Sequence, residues 1–170
     1  MQDFLRYKEI SNIRMTNLTF YDTHIEILVE TSKADIYRQG NTVVIARTNT
    51  ETCPVLFLRR YCTLAGLNLD SNEYIFRSLQ YNKSNHKGTQ YNKSNHKCTI
   101  SKVNKPLSYT RSRELLLEAV NAIGLDKTLF GLHSLRSGGA SQATNNNVTD
   151  RVFKAHGRWR SENAKDGYVN

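Results

Sequence analysis

Four residues in the last third of the 170-residue chain have the types and spacing to handle a phosphate. His133 and Arg136 stand three apart in HSLRSGG, so a helix carries both on one face. Gly138 and Gly139 follow where a helix favours alanine, and are read as marks of close backbone approach. A second block, His156-Gly157-Arg158-Trp159, comes next, and Tyr168 stands nine residues beyond Trp159. A guanidinium beside an imidazole binds an anion and can move a proton. The indole N–H of tryptophan donates a hydrogen bond but carries no proton away. A tyrosine hydroxyl can act as nucleophile. Together these groups point to phosphoryl transfer onto Tyr168. Each alone has a plainer role: a structural hydrogen bond for His133 and Arg136, a core position for Trp159, a tail anchor for Tyr168. His156 competes with Trp159, but its spacing of twelve to Tyr168 fits less well.

HSLRSGG followed by HGRW and then a tyrosine resembles the catalytic domain of the tyrosine recombinases, the phage-integrase family. That family carries a His-x-x-Arg box, then a His or Trp nine residues before a nucleophilic tyrosine. His133, Arg136, Trp159 and Tyr168 match in type, order and spacing. The stretch HGRWRSENAKDGYV is especially similar to recombinases of eukaryotic mobile elements. The resemblance runs from Arg6 to Tyr168. Near the start, FLRYKEISNIR resembles the family's first box, with Arg6 followed three residues later by Glu9. R-x-x-E alone also describes an ordinary ion pair on a helix surface. The family places a catalytic lysine on a hairpin between these boxes, and Lys33 is the match.

The resemblance implies a division of labour. Arg6 and Arg136 would bind the two non-bridging oxygens, which gain charge as phosphorus becomes five-coordinate. Arginine suits this because its planar fork bonds two oxygens and stays charged. His133 would accept the tyrosine proton, Trp159 would donate a hydrogen bond, and Lys33 would protonate the departing 5′ oxygen. Tyr168 would form a 3′-phosphotyrosyl bond that keeps the phosphodiester energy. Neither ATP nor a metal nor any other cofactor is then expected. The expected function is a site-specific DNA recombinase or integrase, a strand transferase. Two alternatives stay open: a non-catalytic DNA-binding relic of a mobile element, and topoisomerase IB-like strand passage.

The charge agrees with a DNA partner. The net charge is +9, and between Tyr74 and Arg113 there is no Asp or Glu. Arg77, Lys83, Lys87, Lys93, Lys97, Lys102, Lys105, Arg111 and Arg113 lie there, and the rest of the chain sums to zero. Lys83, Lys87, Lys93, Lys97, Arg111 and Arg113 are the candidate DNA-binding residues, since polyanion binding is the use of such a segment. A solvated basic loop with no partner is the alternative. YNKSNHK occurs at Tyr81–Lys87 and again at Tyr91–Lys97. Two apolar-poor copies are too few for a solenoid, so residues 81–100 read as a basic, duplicated loop insertion.

Composition sets further bounds. With 38% hydrophobic residues, residues 1–170 suit one catalytic domain. The family's N-terminal DNA-clamping domain is absent from this sequence, as are helices before the first arginine box. A fragment acting as a monomer is therefore expected, with other recombinase protomers as partners only in a full-length synaptic complex. No apolar run reaches a membrane span, and MQDFLRYKEI lacks a secretory pattern. Three cysteines (Cys53, Cys62, Cys98) lack metal-like spacing and fit a reduced, intracellular compartment, the nucleus if the host is eukaryotic. A zinc site from His86, His96 and Cys98 lacks paired-ligand spacing.

The elements that must position these residues follow from periodicity. Phe4–Leu18 reads as a helix with Leu5, Ile10 and Ile13 on one stripe. His24–Glu30 and Thr42–Arg47 read as strands, and Tyr74–Phe76 as a third. Thr52–Leu67 reads as a helix with Thr52 as N-cap, Pro54 in the first turn and Gly66 at the end. Its core face is Val55, Leu58, Tyr61, Cys62 and Leu64. Tyr109–Ile123 is an amphipathic helix with Leu115, Leu116, Ala119, Val120 and Ile123 inward. Leu132 to Thr144 carries the His-x-x-Arg box. Thr149 caps a short helix ending near Gly157, and Ser161 a last one bearing Tyr168. The fold expected is α+β and mostly helical, a tyrosine-recombinase-like catalytic domain with a small antiparallel sheet near the N-terminus.

Overall fold

The computed structural model describes residues 5–32, 35, 37–81, 98–159, 161, 163 and 167. Lys33, Lys83, Lys87, Lys93, Lys97 and Tyr168 lie outside the described residues, as do His86 and His96 and most of the segment after Ser161.

Strand β2 (His24–Val29) forms where the sequence alternates most regularly. Successive side chains on a strand face opposite ways, so Ile25, Ile27 and Val29 go to one side, and all three are buried. Strand β3 (Asn41–Ala46) pairs antiparallel with it, setting Ile45 opposite Ile25 and Val43 opposite Ile27. Strand β1 (Leu18–Phe20) pairs with the other edge of β2, giving the order β1-β2-β3.

The small antiparallel sheet is thus as expected, but its third strand is not the expected one. Leu18 was assigned to a helix running from Phe4, whereas helix α1 spans only Tyr7–Ser11. Long-range backbone bonds end it. Ile75 N–H donates to the Ile13 carbonyl at 3.1 Å, and Met15 N–H donates to the Glu73 carbonyl at 3.0 Å. These bonds take Ile13 and Met15 out of helical pairing and bury both. Met15–Asn17 forms a single 3-10 turn before β1. The strand expected at Tyr74–Phe76 is reduced to one bridge, Arg14 to Tyr74, with Ile75 fully buried.

Helix α2 (Pro54–Leu64) begins with proline, whose missing N–H costs nothing in a first turn. Its N-cap is Cys53 rather than Thr52. Val55 and Cys62 are buried, with Leu58 and Tyr61 packed beside them, but Leu64 is exposed. Nine residues from Val55 is roughly 900° of rotation, which puts Leu64 on the far side. Strands β4 (Leu79–Tyr81) and β5 (Cys98–Ile100) form a second, two-stranded antiparallel sheet that periodicity did not reveal.

Helix α3 (Tyr109–Ala122) is capped by Ser108, whose side chain accepts the Arg111 N–H at 3.2 Å. Val120 is its buried residue; Leu115 and Leu116 are half-buried, while Ala119 and Ile123 are exposed, contrary to expectation. Helix α4 (Leu132–Asn145) carries the His-x-x-Arg box, and helix α5 (Asp150–Gly157) follows with Thr149 at its N-cap.

Two apolar clusters result. The larger gathers Leu5, Ile13, Met15, the inward residues of β2 and β3, Val55, Cys62 and Ile75. The smaller joins Ala140 and Ala143 of α4 to Phe153 of α5 and to Trp159. No helix among the described residues is long and apolar enough to cross a membrane.

Candidate active site

Three consecutive residues, Gly157-Arg158-Trp159, hold the candidate site together. α5 ends at Gly157, and Arg158 turns the chain with φ 54° and ψ 40°, the left-handed region. That turn sends Trp159 back onto α5. Its ring lies 4.8 Å from Phe153 between centroids, and the residue is buried. Gly157 leaves the room for it, because a Cβ there would fall among the indole carbons Cζ3, Cε3 and Cη2.

Arg136 reaches this segment from α4. It donates from Nη2 to the Gly157 carbonyl at 2.8 Å, and its guanidinium carbon sits 4.9 Å from the Trp159 ring centre. A cation over an indole face is attracted by the ring's quadrupole. The residue is only 2% exposed. Of the two adjacent glycines of α4, Gly139 is buried, but Gly138 faces open space, so the close approach expected at that position is absent.

Arg6 reaches the same segment from the other end of the chain, through Glu9. Arg6 sits at the N-cap of α1. Its backbone N–H donates to Glu9 Oε2 at 2.8 Å and its Nη1 to Oε1 at 3.0 Å. The pair foreseen as a possible surface contact is half buried: the Arg6 side chain is 25% exposed, that of Glu9 only 2%. Glu9 Oε2 also accepts from Arg158 Nη2 at 2.6 Å, across 149 positions of sequence. One carboxylate thus joins the first arginine to the residue before Trp159. Arg136 thus contacts Gly157 and Trp159 directly, and Arg6 is linked to Arg158 through Glu9.

His133 lies one turn before Arg136 on α4, with an exposed side chain. His156 on α5 is half-buried, and burial, then the positive charge of Arg158, lowers its pKa below the ordinary histidine value. A neutral imidazole is therefore favoured beside the Arg158 guanidinium. Arg111, on the first turn of α3, is engaged by Glu114 at 2.9 Å and Glu118 at 3.4 Å, so two carboxylates of its own helix already meet its charge. Arg113 beside it is exposed.

Glu9 and Arg158 are the site residues whose connection the sequence did not disclose. Both lie inside motifs that were noticed, but nothing in spacing links positions 149 apart.

The fold is that of the tyrosine-recombinase catalytic domain. XerH site-specific recombinase, in the pre-cleavage complex with its difH substrate, superposes with a TM-score of 0.66 at 14% identity over 97% of this chain. The post-cleavage complex of XerH with palindromic difH gives 0.67 at 15% identity over 98%. The Tn1549 transposon integrase, bound to circular intermediate DNA, gives 0.53 at 11% identity over 99%. The chain spans 38% of the length of each XerH chain and 50% of that of the integrase. No protein-family model matches the sequence, and neither does any curated protein sequence.

Proposed function

We propose that the chain is the catalytic domain of a site-specific DNA recombinase or integrase, cutting and rejoining duplex DNA through a 3′-phosphotyrosyl intermediate. The observation that carries this reading is that Arg136 packs on Gly157 and Trp159 while Glu9 ties Arg6 to Arg158 between them, within a fold shared with recombinases bound to DNA. On this reading the Arg6 and Arg136 guanidiniums, each held in place beforehand, stabilise charge that grows on the non-bridging oxygens without reorganising at the moment of reaction. His133, on the exposed side of α4, receives the Tyr168 proton, and Lys33 delivers one to the 5′ leaving oxygen. Tyr168 is the nucleophile. We extend the reading to a mobile-element origin, which the likeness to a transposon integrase supports, and to work in a nucleus, which rests only on the resemblance of HGRWRSENAKDGYV to eukaryotic mobile-element recombinases. Other recombinase protomers join it on DNA in a synaptic complex.

The test is a denaturing gel after incubation with nicked duplexes, in which the short released fragment bearing the 5′ hydroxyl diffuses away and so traps the intermediate. A protein–DNA adduct resistant to denaturant supports the enzyme. DNA retention without an adduct assigns a non-catalytic DNA-binding module instead.

A further inference from the structure

Arg158 occupies a backbone conformation that an L-residue other than Asn or Asp seldom adopts. A glycine would hold the same turn without steric cost. Its side chain is nevertheless 5% exposed and directed at a carboxylate that is itself 2% exposed. Among the described residues Glu9 is the carboxylate it meets, at 2.6 Å. The contact is directional and charge-assisted, the strong class of hydrogen bond. It completes a chain of physical connections: Arg6 to Glu9, Glu9 to Arg158, and Arg158 through its own backbone to Gly157 and Trp159, both of which touch Arg136.

We propose that Arg158 is a positioning residue, which through Glu9 locks the Trp159 segment and Arg136 in register with Arg6. The lock acts between the two ends of the chain, so it sets the separation of the two guanidiniums that must grip one phosphate. The part of this proposal that concerns rate rests on the recombinase reading above; the part that concerns position does not.

Trp159 is the chain's single tryptophan, so its fluorescence reports this segment alone. Three variants of the full chain decide the matter. Arg158→Gly keeps the turn and removes the ion pair. Glu9→Gln keeps the shape and removes the charge. Arg158→Lys keeps a cation on Glu9. Acrylamide quenching of Trp159 should rise several-fold in Arg158→Gly and Glu9→Gln, and return toward the parent value in Arg158→Lys. At saturating nicked DNA, adduct formation in the first two should slow by roughly tenfold to a hundredfold, the cost of misplaced reacting groups. The dissociation constant for DNA should hold, and Arg158→Lys should recover much of the rate. Unchanged quenching in both Arg158→Gly and Glu9→Gln overturns the proposal. So does a rise in quenching in Arg158→Gly and Glu9→Gln that Arg158→Lys shows to the same extent. If the parent chain forms no adduct, the recombinase reading fails while quenching still decides the lock.

Discussion

Gly157 and Trp159 are packed so closely that the glycine has no space for a methyl group: a Cβ would overlap the indole ring. Gly157 closes α5, and Arg136 holds its carbonyl. Helix propensity alone favours Gly157→Ala by about 0.5–1 kcal/mol. The clash opposes this, and forcing an extra carbon into a packed site costs about 1–3 kcal/mol. Gly157→Ala should therefore be destabilised in urea titration, with Trp159 emission shifted to the red. A more stable variant would mean that Trp159 is not seated against α5.

His156 makes stability depend on pH. Burial and the Arg158 charge hold its folded pKa below the ordinary 6.5. The unfolded chain thus takes up the proton first as pH falls. The stabilisation from neutral His156 is complete above about pH 6.5 and is lost as pH drops through the folded pKa. His156→Gln should flatten the fall in melting temperature between pH 7 and 5. An equal fall in both proteins would assign the acid sensitivity to other groups.

How far the sequence disclosed this molecule depended on the range of the forces involved. β2 and β3 were legible because the alternation of Ile25, Ile27 and Val29 is a local pattern. The end of α1 was not, because Ile13 and Met15 are claimed by Glu73 and Ile75, about 60 residues away. Leu64 and Ile123 were misread as core because apolar type was weighed above angular position. His133, Arg136 and Trp159 were proposed as site residues from short spacings. The Glu9–Arg158 contact that unites the site with Arg6 leaves no such trace.

The lysine assignment has its own chemical test. Lys33→Ala should stall cleavage at loss of the 5′ oxygen. Replacing that bridging oxygen with sulfur should restore much of the rate, because a thiolate leaves without a proton. Arg136→Ala should show no such rescue, since its work is on the non-bridging oxygens. Failure of sulfur to rescue Lys33→Ala selectively would assign the acid to another residue.

The four repeat lysines, Lys83, Lys87, Lys93 and Lys97, should account for much of the non-specific affinity. Each lysine that pairs with a duplex phosphate contributes about 0.9 to the slope of log K against log salt. Changing all four to glutamine should flatten that slope. A slope that does not move would make the repeat a solvated loop directed away from DNA. Arg111 should contribute little, because Glu114 and Glu118 already hold it.

The central claim is that Tyr168 attacks phosphorus. The direct measurement is mass spectrometry of the adduct formed on a nicked duplex, after nuclease and trypsin digestion. The account predicts a nucleotide 3′-phosphate on the C-terminal peptide that contains Tyr168, complete loss of the adduct in Tyr168→Phe, and DNA retention nearly unchanged in that variant. An adduct that persists in Tyr168→Phe, or that maps to any other residue, would contradict it.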